Sequence, residues 1–312
     1  MNPCKIAFAG TPDFAVPTLR ILLDLGFDIP FVLTQPDRPS GRGRKLAQSS
    51  VKTEALKHGL EVMQPLKLSE AAFVEHGAVT PDLMIVVAYG LLLPNWLLNW
   101  PRLGAINVHA SLLPRWRGAS PIQHAILEGD SQTGVSIMQI NSGLDAGPVY
   151  GQHPLSIGKH ENAGSLHDRL STLGANFLGE LLPKIISGVL PLVSQNKSQA
   201  TFAPKINKAD AAIDWNQPAE KLACQVRAFN PWPISESVTV DGKRLRIWEA
   251  EAVSQHSTAP PGSVVDIKKH MIEVATGQGV LRILKLQPPG GRVVSAKDYL
   301  NANSLEGMRF SC

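Results

Sequence analysis

Cysteine is scarce in this 312-residue chain: Cys4, Cys224 and Cys312 are the only three. They are odd in number, scattered, and form no C-x-x-C pair. That excludes a disulfide framework and a cysteine zinc site, and it suits a reducing compartment. Long apolar runs are lacking too. The longest, Leu83 to Pro94, is about 12 residues and is broken by Tyr89 and Gly90, short of the roughly 18 that span a membrane. It reads as a buried strand running into a loop. The start of the chain shows no basic segment followed by an apolar one, so the expected location is cytoplasmic, with no membrane association. The dinucleotide fingerprint G-x-G-x-x-G is missing around Gly10, and nothing points to NAD or ATP. The histidines outside the motif described below have no metal-ligand spacing, so no metal is expected. No internal repeat marks a solenoid, and nothing suggests an obligate interface, so a monomer is expected.

What is present is an ordinary globular composition, 44% hydrophobic and 18% charged, with length enough for two domains. Residues 1–190 hold 15 Lys/Arg and 15 Asp/Glu, whereas 191–312 hold 15 and 11, so the whole net charge of +4 lies in the C-terminal part. A basic appendage suits a polyanion such as RNA, and it is also routine for a segment of this length.

The first 150 residues alternate. Lys5–Ala9, Pro30–Thr34, Asp82–Ala88, Gly104–His109 and Thr133–Ile140 have strand character. Helical spacing covers Asp13–Gly26, Ser49–Gly59 and Ser120–Gly129, with Asp13, Ser49 and Ser120 as caps. This predicts an α/β fold, a Rossmann-like, mostly parallel sheet with helices on both faces. After about residue 188 the pattern changes. Ser187 to Asn207 is polar and aperiodic; a helix follows over Pro218–Phe229. Then come short strands at Ser235–Val240, Arg244–Ala250, Ser263–Ile267, Met271–Ala275 and Val280–Leu286. These predict a small, OB-like C-terminal β-barrel domain. The expected domains are 1–189, a linker over 190–207, and 208–312.

Open parallel sheets bind ligands beyond the carboxyl ends of their strands. Asn107 and His109 end one strand and, two residues apart, share a face. Asp145 follows the next strand in the glycine-rich Asn141-Ser-Gly-Leu-Asp-Ala-Gly. In one cleft these three can move an acyl group onto an amine: the histidine takes the proton, the Asn amide stabilises the oxyanion, and the carboxylate orients the imidazole. Taken singly, they fit ordinary turn and capping residues just as well.

The wider pattern carries more. Gly104-Ala-Ile-Asn-Val-His-Ala-Ser-Leu-Leu-Pro-Arg-Trp-Arg-Gly-Ala-Ser-Pro-Ile resembles the signature of the tetrahydrofolate-dependent formyltransferase family. The resemblance implies Asn107, His109 and Asp145 as the catalytic set and Ser111, Leu112, Leu113 and Pro114 as a folate-contacting loop. It implies Tyr89, Gly90 and Leu91, in Val86-Val-Ala-Tyr-Gly-Leu-Leu-Leu-Pro94, as pterin-pocket residues, with 10-formyltetrahydrofolate as co-substrate. Members act on several acceptors, among them glycinamide ribonucleotide, amino-sugar nucleotides and water. Three segments resemble the branch whose acceptor is the methionine amine of initiator methionyl-tRNA: Phe8-Ala-Gly-Thr-Pro-Asp-Phe-Ala-Val-Pro, Thr34-Gln-Pro-Asp-Arg-Pro-Ser-Gly-Arg-Gly-Arg-Lys-Leu46 and Arg227-Ala-Phe-Asn-Pro-Trp-Pro233. For the second, the resemblance implies tRNA contact through Arg38, Arg42, Arg44 and Lys45. The composition agrees: Gly and Pro forbid a helix or central strand there and predict a mobile loop, and arginine grips phosphate bidentately. An amino-sugar nucleotide formyltransferase, a formyltetrahydrofolate hydrolase and an RNA-binding module on an inactive folate scaffold remain as other readings of the same residues.

Overall fold

The computed structural model describes residues 4–40, 45–75, 77–268, 271–305 and 307–311. They form two compact units. Met1–Gly118, Thr133–Leu155 and His167–Phe202 make the first; Ala119–Gln132, Ser156–Leu166 and Ala203–Cys312 make the second.

The first unit is built on seven strands: β1 (Ile6–Gly10), β2 (Val32–Leu33), β3 (Val62–Met63), β4 (Leu83–Val87), β5 (Ala105–His109), β6 (Gln132–Gln139) and β7 (Val149–Ser156). Their order is β7–β6–β5–β4–β1–β2–β3. Every residue of β1 and β4 is buried, so both read as unbroken apolar runs, as in a sheet covered on two faces. β5, β4, β1, β2 and β3 pair in parallel. β6 runs antiparallel to β5, with His109 opposite Ser136 and Asn107 opposite Met138, which makes the sheet mixed.

Parallel neighbours need crossovers, supplied by α1 (Val16–Asp24), α2 (Ser50–Lys57), α3 (Glu70–Glu75) and α4 (Asn95–Asn99). On one face Phe73 of α3 and Leu97 of α4 pack with Ala7, Ala9, Leu33, Met84 and Val86. Ser49 caps α2, its Oγ accepting from Lys52 N at 3.0 Å, and Gly59 closes it at φ +68°. Asp13 caps no α-helix: it opens a 3-10 turn, Asp13–Ala15, and accepts from Phe14 N.

The opposite face takes α6 (Ala163–Ile186), an element the sequence pattern did not signal. Its Gly174, Gly179 and Pro183 lower helix propensity, each glycine by about 1 kcal/mol relative to alanine. The fold uses the glycines for close approach. A Cβ on Gly174 would stand 2.7 Å from Val108 Cγ1, and one on Gly179 3.1 Å from Ile21 Cγ1.

The second unit holds an antiparallel sheet: β8 (Ser235–Val238), β9 (Arg244–Val253), β10 (Val264–Lys268), β11 (Met271–Ala275) and β12 (Val280–Gln287), ordered β8–β9–β12–β11–β10, with β13 (Val294–Ser295) beside β12. It curls into a half-barrel around Trp215, Leu222, Val226, Ile247, Ile272, Leu281 and Phe310. The two free edges are joined by the last described residues. Val240 N donates to Arg309 O and Ser311 N to Val238 O on one side; Phe310 N donates to Gly262 O and Val264 N to Met308 O on the other. α7 (Ala219–Ala228) covers the core, and α5 (Pro121–Leu127) packs on α7. Ser120 precedes α5 without capping it; its Oγ accepts from Ile206 N instead. Cys4 and Cys224 are free cysteines and half-buried. Among the described residues no helix is long and apolar enough to cross a membrane.

Candidate active site

The carboxyl ends of β1, β2 and β4 are tied by one small network. Thr11 Oγ1 donates to Tyr89 O at 2.9 Å and accepts from Gln35 N at 3.3 Å, and Gln35 Nε2 reaches Tyr89 O at 3.4 Å. Gly10 lets β1 end close to β4 and to the turn after it, because a Cβ there would stand 3.1 Å from Val87 O and 2.8 Å from Ala15 Cβ. Tyr89 is turned inward among Phe73, Met84 and Leu97, and among the described residues its phenol oxygen has no hydrogen-bond partner. Burial pushes its pKa up to about 12. Gly90 (φ +85°) and Leu91 are exposed. Of the three residues that the resemblance singles out, these two are at the surface and Tyr89 is not.

β5 ends with Asn107 half-buried and His109 buried. The histidine is held from two sides. Its Nε2 lies 2.9 Å from Trp116 O. A carbonyl only accepts, so Nε2 carries the hydrogen and the neutral ring keeps its lone pair on Nδ1. Nδ1 faces Asp145 Oδ2 at 3.7 Å, close enough to stabilise a proton that arrives and too far for a hydrogen bond before it does. The same Oδ2 accepts from Gly118 N at 2.8 Å.

The loop after β5 is held by its own Ser111 and by polar side chains of β6 and β7. Ser111 Oγ donates to Arg115 O at 2.6 Å, and Ser136 Oγ donates to Ser111 O at 2.7 Å. Leu113 N donates to Ser136 Oγ, and Gln152 Nε2 reaches both Leu113 O and Ser136 Oγ. Ser111 is fully buried and Leu113 nearly so, whereas Leu112 and Pro114 are half-exposed. Leu112 and Pro114 are therefore the members of this loop with surface to offer. Trp116, at φ +62°, is clamped by Thr201, whose Oγ1 accepts from Trp116 N at 2.9 Å and whose carbonyl accepts from Arg117 N. The Arg115 guanidinium stacks 4.3 Å over the Trp116 ring. Arg117 is buried and donates twice to Gln195 Oε1, at 3.1 and 2.7 Å. Gln195 Nε2 in turn donates to Asp145 O and Gly147 O.

Ser136, Gln152, Gln195 and Thr201 escaped the reading of the sequence. Each is a single polar residue far along the chain from the motif it supports, with no local pattern to mark it.

Of the basic residues, Arg42 and Arg44 lie outside the described residues, as does the side chain of Lys45. The flanks pair as a two-strand ribbon, Arg38–Ser40 against Lys45–Ala47. Exposed Arg38 donates to Gln35 Oε1 at 3.0 Å. The ribbon's base is fixed by Lys52 Nζ, 2.7 Å from Asp37 Oδ2, and by Gln64 on Asp37 Oδ1. Lys52 beside Asp37 holds that carboxyl below the usual range. Among the described residues no group of three His, Cys, Asp or Glu side chains is placed to hold a metal ion.

Two family models match the chain: "Formyl transferase" over residues 4–182 and "Formyl transferase, C-terminal domain" over 205–304. The methionyl-tRNA formyltransferase of Methylococcus capsulatus is 54% identical over 306 residues, 98% of this chain and 99% of that protein. That of Nitrosococcus oceani is 50% identical, covering 97% of this chain and 94% of the other. An N-formyltransferase from Helicobacter canadensis, solved with folinic acid and dTDP-3-aminofucose, superposes with a TM-score of 0.69 at 17% identity, over 90% of this chain and 98% of that one. HypX from Aquifex aeolicus, solved with tetrahydrofolic acid, gives 0.61 at 18% identity, over 97% of this chain and 47% of its own.

Proposed function

The chain belongs to the methionyl-tRNA formyltransferases of the formyl transferase family, and from that membership we infer which of its groups carry the transfer. A formyl group passes from a formyl-tetrahydrofolate to the amino group of methionine on tRNA. The donor is 10-formyltetrahydrofolate and the acceptor is the initiator methionyl-tRNA. The amine attacks the formyl carbon, the bond from that carbon to N10 breaks, the amine loses a proton and N10 gains one.

The observation that supports this assignment is the setting of His109. Its lone pair on Nδ1 is free to take the amine's proton, directly or through water, because Trp116 O occupies the other nitrogen. The charge so formed lies opposite the Asp145 carboxylate. Asn107, on the same face of β5, supplies the amide N–H for the oxyanion of the tetrahedral intermediate. The methionyl nitrogen is itself the nucleophile, so no covalent enzyme intermediate is required. Gly90, Leu91, Leu112 and Pro114 line the folate side, while Tyr89, Ser111 and Leu113 act from behind by shaping the wall.

Arg38, Arg42, Arg44 and Lys45 grip the tRNA phosphates, and the basic residues of 208–312 add to that surface, with 190–207 connecting the two domains. The protein works as a cytoplasmic monomer. Full-length identity of 50–54% to methionyl-tRNA formyltransferases favours this acceptor over amino sugars or water. The test offers purified protein 10-formyltetrahydrofolate with initiator methionyl-tRNA, elongator methionyl-tRNA, an amino-sugar nucleotide, or no acceptor. Formylmethionine on the initiator species, falling as salt rises, supports the reading. Formate release without acceptor, or formylation of the sugar alone, overturns it.

A further inference from the structure

Gln195 sits in a stretch without regular secondary structure, yet its side-chain amide has every position filled. Oε1 accepts from Arg117 Nε at 3.1 Å and Nη2 at 2.7 Å; Nε2 donates to Asp145 O at 2.8 Å and Gly147 O at 2.7 Å. Two acceptor sites and two donor hydrogens are all the group owns. The neighbours fix its orientation as well: turned over, the NH2 would face guanidinium donors and the oxygen would face two carbonyls.

Arg117 is buried, and its Nε and Nη2 both donate to this amide. Asp145 holds a left-handed backbone, φ +44°, a conformation that costs energy for a residue with a side chain and must be held by its surroundings. The amide of Gln195 grips the carbonyls at Asp145 and two residues beyond it. The main chain next to Gly147 is in turn pressed on β6, because a Cβ on Gly147 would lie 1.7 Å from Gln139 O. The stretch carrying Gln195 is anchored beside it by Val149 and Val193, which exchange hydrogen bonds at 2.8 and 3.0 Å.

We propose that Gln195 is a positioning residue for the transfer: with Arg117 as its anchor, it holds the 145–147 turn so that the Asp145 carboxylate faces His109 Nδ1. This rests on the roles assigned above to His109 and Asp145. The residue touches no reacting atom; it fixes the one carboxylate that stabilises the protonated histidine, so its effect falls on turnover and not on binding. Misplacement of such a group by about 1 Å costs up to a hundredfold in rate.

The test separates this role from plain support of the fold. Gln195→Glu gives buried Arg117 a carboxylate partner, so the fold keeps its buried charge satisfied, but it removes both donors from the 145–147 turn. The expected result for Gln195→Glu and Gln195→Ala is a kcat lower by about tenfold or more, with KM for 10-formyltetrahydrofolate and for methionyl-tRNA each within about threefold. Thermal unfolding checks that both variants are folded. The decisive arm is a cycle with Asp145→Asn. If Gln195 acts through Asp145, Gln195→Ala adds less than about twofold in that background. A costly Asp145→Asn on which Gln195→Ala still exerts its full loss overturns this inference and leaves the site assignment standing. An Asp145→Asn enzyme with normal turnover overturns the role of Asp145 and this inference together. Wild-type kcat in Gln195→Glu overturns the inference directly.

Discussion

Gly147→Ala is the sharpest perturbation of the turn that carries Asp145. The added Cβ would stand 1.7 Å from Gln139 O and 2.9 Å from Gln139 C. A carbon and a carbonyl oxygen in contact need about 3.3 Å, so the gap must open by roughly 1.6 Å. Both obstructing atoms are main chain, and Gln139 ends β6, whose partner β5 carries Asn107 and His109. No side-chain rotation relieves the clash. Gln139 is fixed by its pairing with β5, so the turn through Gly147 gives way against the grip of Gln195, and Asp145 moves with it. Oδ2 already stands 3.7 Å from His109 Nδ1, and a further shift of this size takes it out of effective reach. The overpacking itself destabilises by about 1–3 kcal/mol. The catalytic loss is larger, on the order of a hundredfold in kcat. Steady-state formylation with saturating formyl donor and varied methionyl-tRNA reads it, with thermal unfolding to show that the variant is folded at the assay temperature. A folded variant with kcat within threefold of the parent would refute the claim that the position of this turn sets the rate.

Other outcomes follow from the assigned roles and from the fold. Asn107→Ala should lower kcat by about 10²–10³-fold with little change in either KM, as loss of a single oxyanion donor does; a change confined to KM would contradict that role. Arg42→Ala should raise KM for methionyl-tRNA several-fold and flatten its salt dependence, while equilibrium binding of the folate is unchanged; weakened folate binding would oppose the assignment. Glu54, gripped by Arg20 at 2.6 Å and by Lys57, has its carboxyl held down to about 2 by the Arg20 hydrogen bonds, against the opposing effect of burial and with help from Lys57. Folding lowers that value, so Glu54's stabilising share is complete above its ordinary value of 4.5 and is lost as the pH falls towards 2. Glu54→Gln should therefore unfold at a lower temperature at pH 7, by about 1 kcal/mol of stability, with the difference closing below pH 4.5; a gap independent of pH would contradict it.

The parallel core of the first unit was readable because its strands are buried along their whole length. Leu83–Val87 and Ile6–Gly10 carry no polar residue to blur the pattern. The strands of the half-barrel were readable as short runs, and Gly242 stands at φ +84° in the turn between β8 and β9. α6 was not, since Gly174 and Gly179 serve the sheet they lie on rather than the helix they belong to, and propensity penalises them. The antiparallel course of β6 was also hidden, because a buried apolar strand looks the same in either direction. At the site, motif and strand-end position single out Asn107, His109 and Asp145, and the structure sets Asp145 Oδ2 3.7 Å from His109 Nδ1. Their supports were not legible: Trp116 O and Gly118 N are main-chain atoms, which carry no residue code, and Thr201 and Gln195 are single polar residues far along the chain from the motif. The surface around Arg42 and Arg44 rests on sequence pattern alone.

The account turns on His109 receiving the amine's proton beside Asp145. Single-turnover transfer from 10-formyltetrahydrofolate to initiator methionyl-tRNA, with enzyme in excess, compares His109→Asn with the parent. The expected result is a transfer rate lower by about 10²–10⁴-fold, with both substrates still binding within a few-fold of the parent. Transfer at the parental rate in folded His109→Asn would contradict the account at its centre.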